Sequence, residues 1–133
     1  MVDDNGVQYL AIGLGAVLGA NLRFLVAQWV ARQWGAEFPY GTLVINISGS
    51  FVIGVFLAIV GARLAVNPLW RLFFATGFLG GFTTFSSYAW ETLSLAEAGA
   101  WLAAAGYVVA SNGVGLLGVW LGALLARSLP LPD

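Results

Sequence analysis

The chain has no cysteine, no histidine and no lysine. Without cysteine there are no disulfides and no thiolate chemistry, and without histidine there is no imidazole acid–base catalysis. Together these absences remove the usual ligands of most transition-metal sites. Charge is scarce too. Only 8% of the 133 residues are charged and the formal net charge is −1, whereas soluble domains carry about a quarter charged residues. That balance lacks the basic footprint nucleic acid requires, so no nucleic-acid partner is expected. Paired carboxylates, a nucleophile beside a base and a phosphate loop are all missing from the sequence, so an enzyme is not expected either.

What remains is strongly apolar. The composition is 60% hydrophobic, and the mean hydropathy is +0.90. Uncharged runs cover residues 5–22, 38–62, 72–90 and 98–126. Each reaches the roughly 18 residues of a spanning helix, the first being completed by Arg23 and residues 24–31. Gly35, Glu37 and Pro39 punctuate the first gap, Asn67-Pro68 precedes the third run, Glu91, Glu97 and Gly99 lie before the fourth, and Pro130 and Pro132 close the chain. We read a single all-α transmembrane domain over residues 1–133, with four membrane helices at 7–31, 39–62, 70–96 and 99–126. The start, Met1-Val2-Asp3-Asp4, is acidic where a signal peptide needs positive charge. The first hydrophobic segment is therefore expected to stay in the mature, multi-pass protein.

Arginine in short loops orients such bundles. Arg63, Arg71 and Arg127 fall on one side and Arg32 on the other, with Arg23 within or near the membrane. So weak a bias permits insertion in both orientations, and hence an antiparallel homodimer. Gly15/Gly19, Gly77/Gly81 and Gly118/Gly122 have the small-x-x-x-small spacing that lets helix backbones approach closely.

The most informative stretch is Gly80-Gly81-Phe82-Thr83-Thr84-Phe85-Ser86-Ser87-Tyr88. Glycine costs about 1 kcal/mol in a helix relative to alanine, and β-branched Thr adds less. A spanning helix tolerates a break only where protein or a water-filled cavity covers the freed backbone. The third helix is thus expected to be interrupted at a functional site. Phe85 and Tyr88 are three apart on one face, either as core packing or as ring edges offered to an anion. Thr84, Ser86 and Ser87 add hydroxyl donors.

Thr42, Asn46 and Gly49 lie at helical spacing and could form a polar stripe. Asn46 reads either as an interhelical hydrogen bond or as a donor, through its NH₂, to a passing anion. Tyr107 and Ser111, with Gly115, could form a second hydroxyl row. Alternatively, Tyr107 reaches a headgroup region and Ser111 bonds its own i−4 carbonyl. Arg23 either snorkels to the interface or draws anions to a pore mouth. Glu91 either pairs with an Arg or meets water.

On these residues the chain resembles the Fluc (CrcB) family of fluoride ion channels. The resemblance runs along essentially the whole length. It rests on Gly19-Ala20-Asn21-Leu22-Arg23, on Gly41-Thr42-Leu43 through Asn46, and most strongly on residues 77–88. It implies an antiparallel, dual-topology homodimer in the bacterial inner membrane, with two fluoride pores lined by both subunits and passive fluoride export against toxicity. Asn46 would be the pore asparagine and Phe85 the first pore phenylalanine. Tyr88 stands where many relatives have the second phenylalanine, and Tyr107 and Ser111 match a hydroxyl track. Gly115 lacks the hydroxyl found there in some relatives. The family also implies a structural Na⁺ at the dimer axis, held by backbone carbonyls that match Gly80 and Thr83.

Two other readings are weighed. A proton-coupled drug exporter wants a membrane-embedded carboxylate in the first helix, which has none. A structural subunit explains the glycines but not the clustered Thr, Ser and aromatic residues.

Overall fold

The computed structural model describes residues 4–62 and 66–130, and among them every regular element is helical. In chain order these are α1 (Asp4–Trp34), α2 (Tyr40–Ala62), α3 (Pro68–Arg71), a π-helical segment (Leu72–Leu79), α4 (Gly80–Phe82), α5 (Phe85–Glu97) and α6 (Trp101–Ser128). Residues 1–3, Arg63 and Pro132, to which the sequence reading gave roles, lie outside the described residues. Three helices are long and apolar enough to cross a membrane: Asn5–Trp34, Tyr40–Gly61 and Trp101–Ser128. The segment from Pro68 to Glu97 is nearly as helical but divided, and none of its pieces has that length.

Local chemistry sets the ends. Asn67 caps α3, its Oδ1 accepting from the Leu69 N–H at 2.9 Å, and Pro68 occupies the first turn, where a missing N–H costs nothing. Gly99 (φ +78°) ends α5 in the left-handed conformation that glycine adopts without strain. The Gly99 N–H donates to Ala96 O and the Ala100 N–H to Leu95 O, both at 2.9 Å, which recovers carbonyls the helix end would leave bare.

Between helices, glycine decides the packing. A methyl on Gly15 would overlap the Phe73 carbonyl oxygen, and one on Gly19 the Phe78 carbonyl oxygen. The fit is mutual, since Gly77 abuts the Ile12 carbonyl and Gly81 the Ala16 carbonyl. α1 therefore lies directly against the π-helical segment and α4. α2 and α6 interlock in the same way, Gly54 against the Val119 carbonyl and Gly122 against the Phe51 carbonyl. The small-residue pairs are contact surfaces between helices, where backbone approach replaces the hydrophobic drive that lipid removes. Leu10, Leu25, Val109 and Leu116 face outward, as lipid requires.

Two features depart from the sequence reading. The run Leu72–Leu79 is π-helical, a widened geometry that often marks functional sites. Four-residue spacing in this region aligns Phe74, Phe78 and Phe82, with centroids 5.3 and 6.3 Å apart. Moreover, the break does not fall at the paired glycines. Gly80 and Gly81 remain helical, and the chain turns extended at Thr83 (φ −78°, ψ 159°) and Thr84 (φ −152°, ψ 115°). Gly81 is needed for the approach of α1, whereas β-branched threonine suits extended backbone.

Gly122→Ala should therefore destabilise the protein by roughly 1–3 kcal/mol, by forcing α6 off the Phe51 carbonyl. Gly61→Ala, with nothing within 4 Å of the added methyl, should be neutral or slightly stabilising. Thermal unfolding of the purified protein in detergent compares the two.

Candidate functional site

The break at Thr83 and Thr84 removes hydrogen bonds that a continuous helix would make. Asn46 replaces two of them. Its Nδ2 donates to the Thr84 carbonyl at 2.9 Å, and its Oδ1 accepts from the Thr84 N–H at 2.8 Å. One side chain of α2 thereby pairs with both backbone groups of a buried residue. The Thr84 N–H is drawn away from the Gly80 carbonyl, its acceptor in an unbroken helix. Above the break, the Thr83 N–H and hydroxyl both donate to Leu79 O, at 2.9 and 2.8 Å. Below it, Thr84 caps α5. Its Oγ1 accepts from the Ser87 N–H at 3.2 Å and donates to Ser87 Oγ at 3.1 Å, and Ser86 Oγ lies 3.4 Å away.

The two half-helices thus present opposite partial charges at one place. The C-terminal end of α4 offers carbonyls, and the N-terminal end of α5 offers N–H groups. Arg23 answers the first. Its Nη1 lies 3.4 Å from Thr83 O, a long contact between a cation and a carbonyl dipole. Half-buried against the break, Arg23 lies as a structural cation on the carbonyl end.

A cleft of about 340 Å³ opens beside the break and brings together Asn46, Gly80, Thr83, Thr84, Phe85, Tyr88 and Ser111, with Gly49, Ser50 and Asn112 alongside. No charged side chain lines it. Phe85 is 77% exposed, and its ring centroid lies 5.5 Å from that of Tyr88. Ser111 Oγ is buried and has no hydrogen-bond partner among the described residues, so the bond to its i−4 carbonyl is not made.

Thr42 and Tyr107 belong to a separate cluster. Thr42 Oγ1 donates to Glu91 Oε1 at 2.8 Å, and the Tyr107 hydroxyl donates to Glu91 Oε2 at 2.6 Å. Glu91 therefore meets neither an arginine nor only water. It gathers hydroxyls from α2 and α6, and Tyr107, fully buried, has no headgroup role. The Tyr107 ring connects the two regions, with centroids 5.4 Å from Tyr88 and 5.5 Å from Phe38. The stripe Thr42–Asn46–Gly49 does face one region, but it divides among three tasks: Glu91, Thr84, and contact with the Thr83 methyl and the Phe82 ring.

The sequence profile of the family described as "CrcB-like protein, Camphor Resistance (CrcB)" matches residues 10–123, a range that holds the break, the cleft and the Glu91 cluster. The chain belongs to the CrcB family. Among its CrcB relatives is a protein of Roseiflexus sp. (strain RS-1) named "Fluoride-specific ion channel FluC", 52% identical over 121 residues, which are 91% of this chain and 98% of that one. Relatives bearing the same name occur in Chloroflexus aurantiacus, at 47% identity over 89% of this chain and 94% of the relative, and in Acidobacterium capsulatum, at 41% over 92% and 98%.

For this CrcB chain, sequence reasoning overlooked the convergence on Glu91 and the contribution of Asn112. Both left a trace. Glu91 is a carboxylate inside an otherwise uncharged segment, and Asn112 extends the polar step begun by Ser111 in an apolar helix. The Gly80 and Thr83 carbonyls are oxygen donors of the kind a hard cation takes, and Gly80 is exposed on the protomer.

Asn46→Leu should cost at least about 2 kcal/mol, because two buried backbone groups of Thr84 lose their partners. Asn46→Asp keeps the acceptor for the Thr84 N–H but, when ionised, sets an oxygen against the Thr84 carbonyl, so it should destabilise as well. Thermal unfolding in detergent ranks the variants.

Proposed function

We propose that the chain is the protomer of a fluoride-selective channel, which carries F⁻ passively out of the cell and relieves fluoride toxicity. It acts as a channel and not as an enzyme. The observation that carries this reading is the uncharged cleft at the broken helix, where the N-terminus of α5, the Ser111 and Tyr88 hydroxyls and the Phe85 ring converge.

Fluoride's difficulty is dehydration, since a small and strongly hydrated anion must exchange water for donors in the protein. The α5 N-terminus supplies partial positive charge to an anion. Hydroxyls donate directly, and aromatic edges carry positive quadrupole density. A full cation in the cleft would hold the ion too tightly, whereas weak donors in series allow both entry and exit. Thr84, Ser86 and Ser87 provide the first-turn hydroxyls. Asn46 holds the break in shape, and its second amide hydrogen is left for the ion. Thr42 and Tyr107 give their protons to Glu91 and brace α2, α5 and α6 beside the route. Arg23 makes one long contact with the Thr83 carbonyl and stays off the donor end of α5, which is left to the anion.

The functional unit in this reading is an antiparallel homodimer in the bacterial inner membrane, with two pores. Its support is physical. Phe85 is exposed and borders an open cleft, an arrangement that a second copy could cover. Na⁺ at the dimer axis would be held by the Gly80 and Thr83 carbonyls of both copies, and it would supply positive charge that keeps facing carbonyl dipoles together. If so, replacing Na⁺ with a large organic cation should lower the unfolding temperature of the purified dimer.

Fluoride efflux from liposomes containing the purified protein, with chloride measured in parallel, tests the function. Rapid fluoride release with chloride retained is the expected result. Phe85→Ile should lower fluoride efflux roughly two- to tenfold, the scale of one lost aromatic contact in the narrow path, while leaving assembly on size exclusion unchanged. Retention of fluoride by well-assembled parent protein would overturn the reading.

A further inference from the structure

Asn112 stands one residue beyond Ser111 in α6 and borders the same cleft. A carboxamide within a spanning helix is costly unless something engages it. Its Nδ2 lies 2.8 Å from Val108 O and 2.9 Å from the Tyr88 hydroxyl. The Val108 carbonyl can only accept, which identifies the atom facing both partners as the amide nitrogen. Both amide hydrogens are then donated, one to each partner, and the Tyr88 oxygen is the acceptor in its bond.

This has a consequence for the proton on Tyr88. A phenol carries a single hydrogen and cannot aim it at a group that is donating to its oxygen. No described residue accepts from the Tyr88 hydroxyl. Tyr107 is the contrast, because its proton is bound to Glu91 Oε2 at 2.6 Å. Two tyrosines with centroids 5.4 Å apart therefore differ in kind. The Tyr107 proton is committed to a carboxylate, and the Tyr88 proton is available at the cleft.

Resting on the channel reading above, we infer that Asn112 is a positioning residue that holds Tyr88 with its hydroxyl proton presented to the anion in the cleft. Tyr88 is then a specificity-determining donor and not only a ring that narrows the path. A ring edge attracts anions of any size weakly. An O–H donor favours the anion that accepts the strongest hydrogen bond, which is fluoride over chloride. Accepting from Asn112 also polarises the phenol and strengthens the bond it donates.

The test is a double-mutant cycle of Tyr88→Phe and Asn112→Leu in the purified, reconstituted full chain, read as fluoride and chloride efflux. Tyr88→Phe keeps the ring and removes the proton. Asn112→Leu keeps the branched shape of the side chain and suits an apolar helix. Each single variant is expected to slow fluoride efflux roughly three- to tenfold, the scale of one hydrogen bond, and to narrow the fluoride-to-chloride ratio. In the Tyr88→Phe background, Asn112→Leu should produce no further loss, because its effect runs through the missing hydroxyl. Equal losses from Asn112→Leu with and without the Tyr88 hydroxyl would assign Asn112 a merely structural role and overturn the inference. Tyr88→Phe with undiminished fluoride efflux overturns it as well, whatever becomes of the Asn112 variant. Parent protein that passes no fluoride is a different failure, since it removes the channel reading and this inference with it.

Discussion

A backbone that leaves the helical path inside a membrane must find partners for every N–H and C=O it frees, because lipid offers none. Here that demand is met by a single side chain. The Asn46 carboxamide has one donor group and one acceptor, as a peptide unit does, and it pairs with both backbone groups of Thr84. The extended conformation at Thr83 and Thr84 persists because α2 brings Asn46 alongside. Everything local to the site follows from that pairing. It ends α4 at the Thr83 carbonyl that Arg23 contacts, and it starts α5 at the edge of the cleft.

Holding Asn46 at the break requires the helices to be fixed to within a fraction of an ångström, and glycine provides this. Gly15, Gly19, Gly77 and Gly81 let α1 press its backbone on the π-helical segment and α4, while Gly54 and Gly122 lock α2 to α6. Gly49 adds the last contact, seating α2 against the Thr83 methyl and the Phe82 ring. Larger residues would fill space equally well but would hold the backbones apart and move Asn46 out of reach of Thr84. Close packing and the polar break are thus parts of one arrangement.

The polar groups sort by whether their protons are committed. Around Glu91 the Thr42 and Tyr107 hydroxyls both donate to the carboxylate, which orients them and rigidifies the meeting of α2, α5 and α6. In the cleft, Ser111 Oγ has no partner, and Tyr88 accepts from Asn112 and keeps its own hydrogen. Groups of the first kind build the scaffold. Those of the second kind are what a transient anion could use, since their hydrogen bonds need not be broken before it arrives.

Composition and hydropathy by themselves determined a helical membrane protein. A chain so poor in charge and so rich in apolar runs has few other stable forms, and helix formation is a local property of each run. The same reasoning marked residues 77–88 as abnormal filler for a spanning helix, and it identified Asn46, Phe85, Tyr88 and Ser111, which the cleft unites. The break falls inside that stretch, at Thr83 and Thr84 and not at Gly80-Gly81, because propensity sees the cost of glycine but not the α1 backbone that makes it necessary at Gly81. Only the tertiary structure decided which polar side chain meets which. Thr42 and Glu91 lie 49 residues apart in sequence, Asn46 and Thr84 lie 38 apart, and no periodicity joins them. Whether a hydroxyl is scaffold or free donor depends on its neighbour across a helix interface, and that is set by packing over the whole bundle.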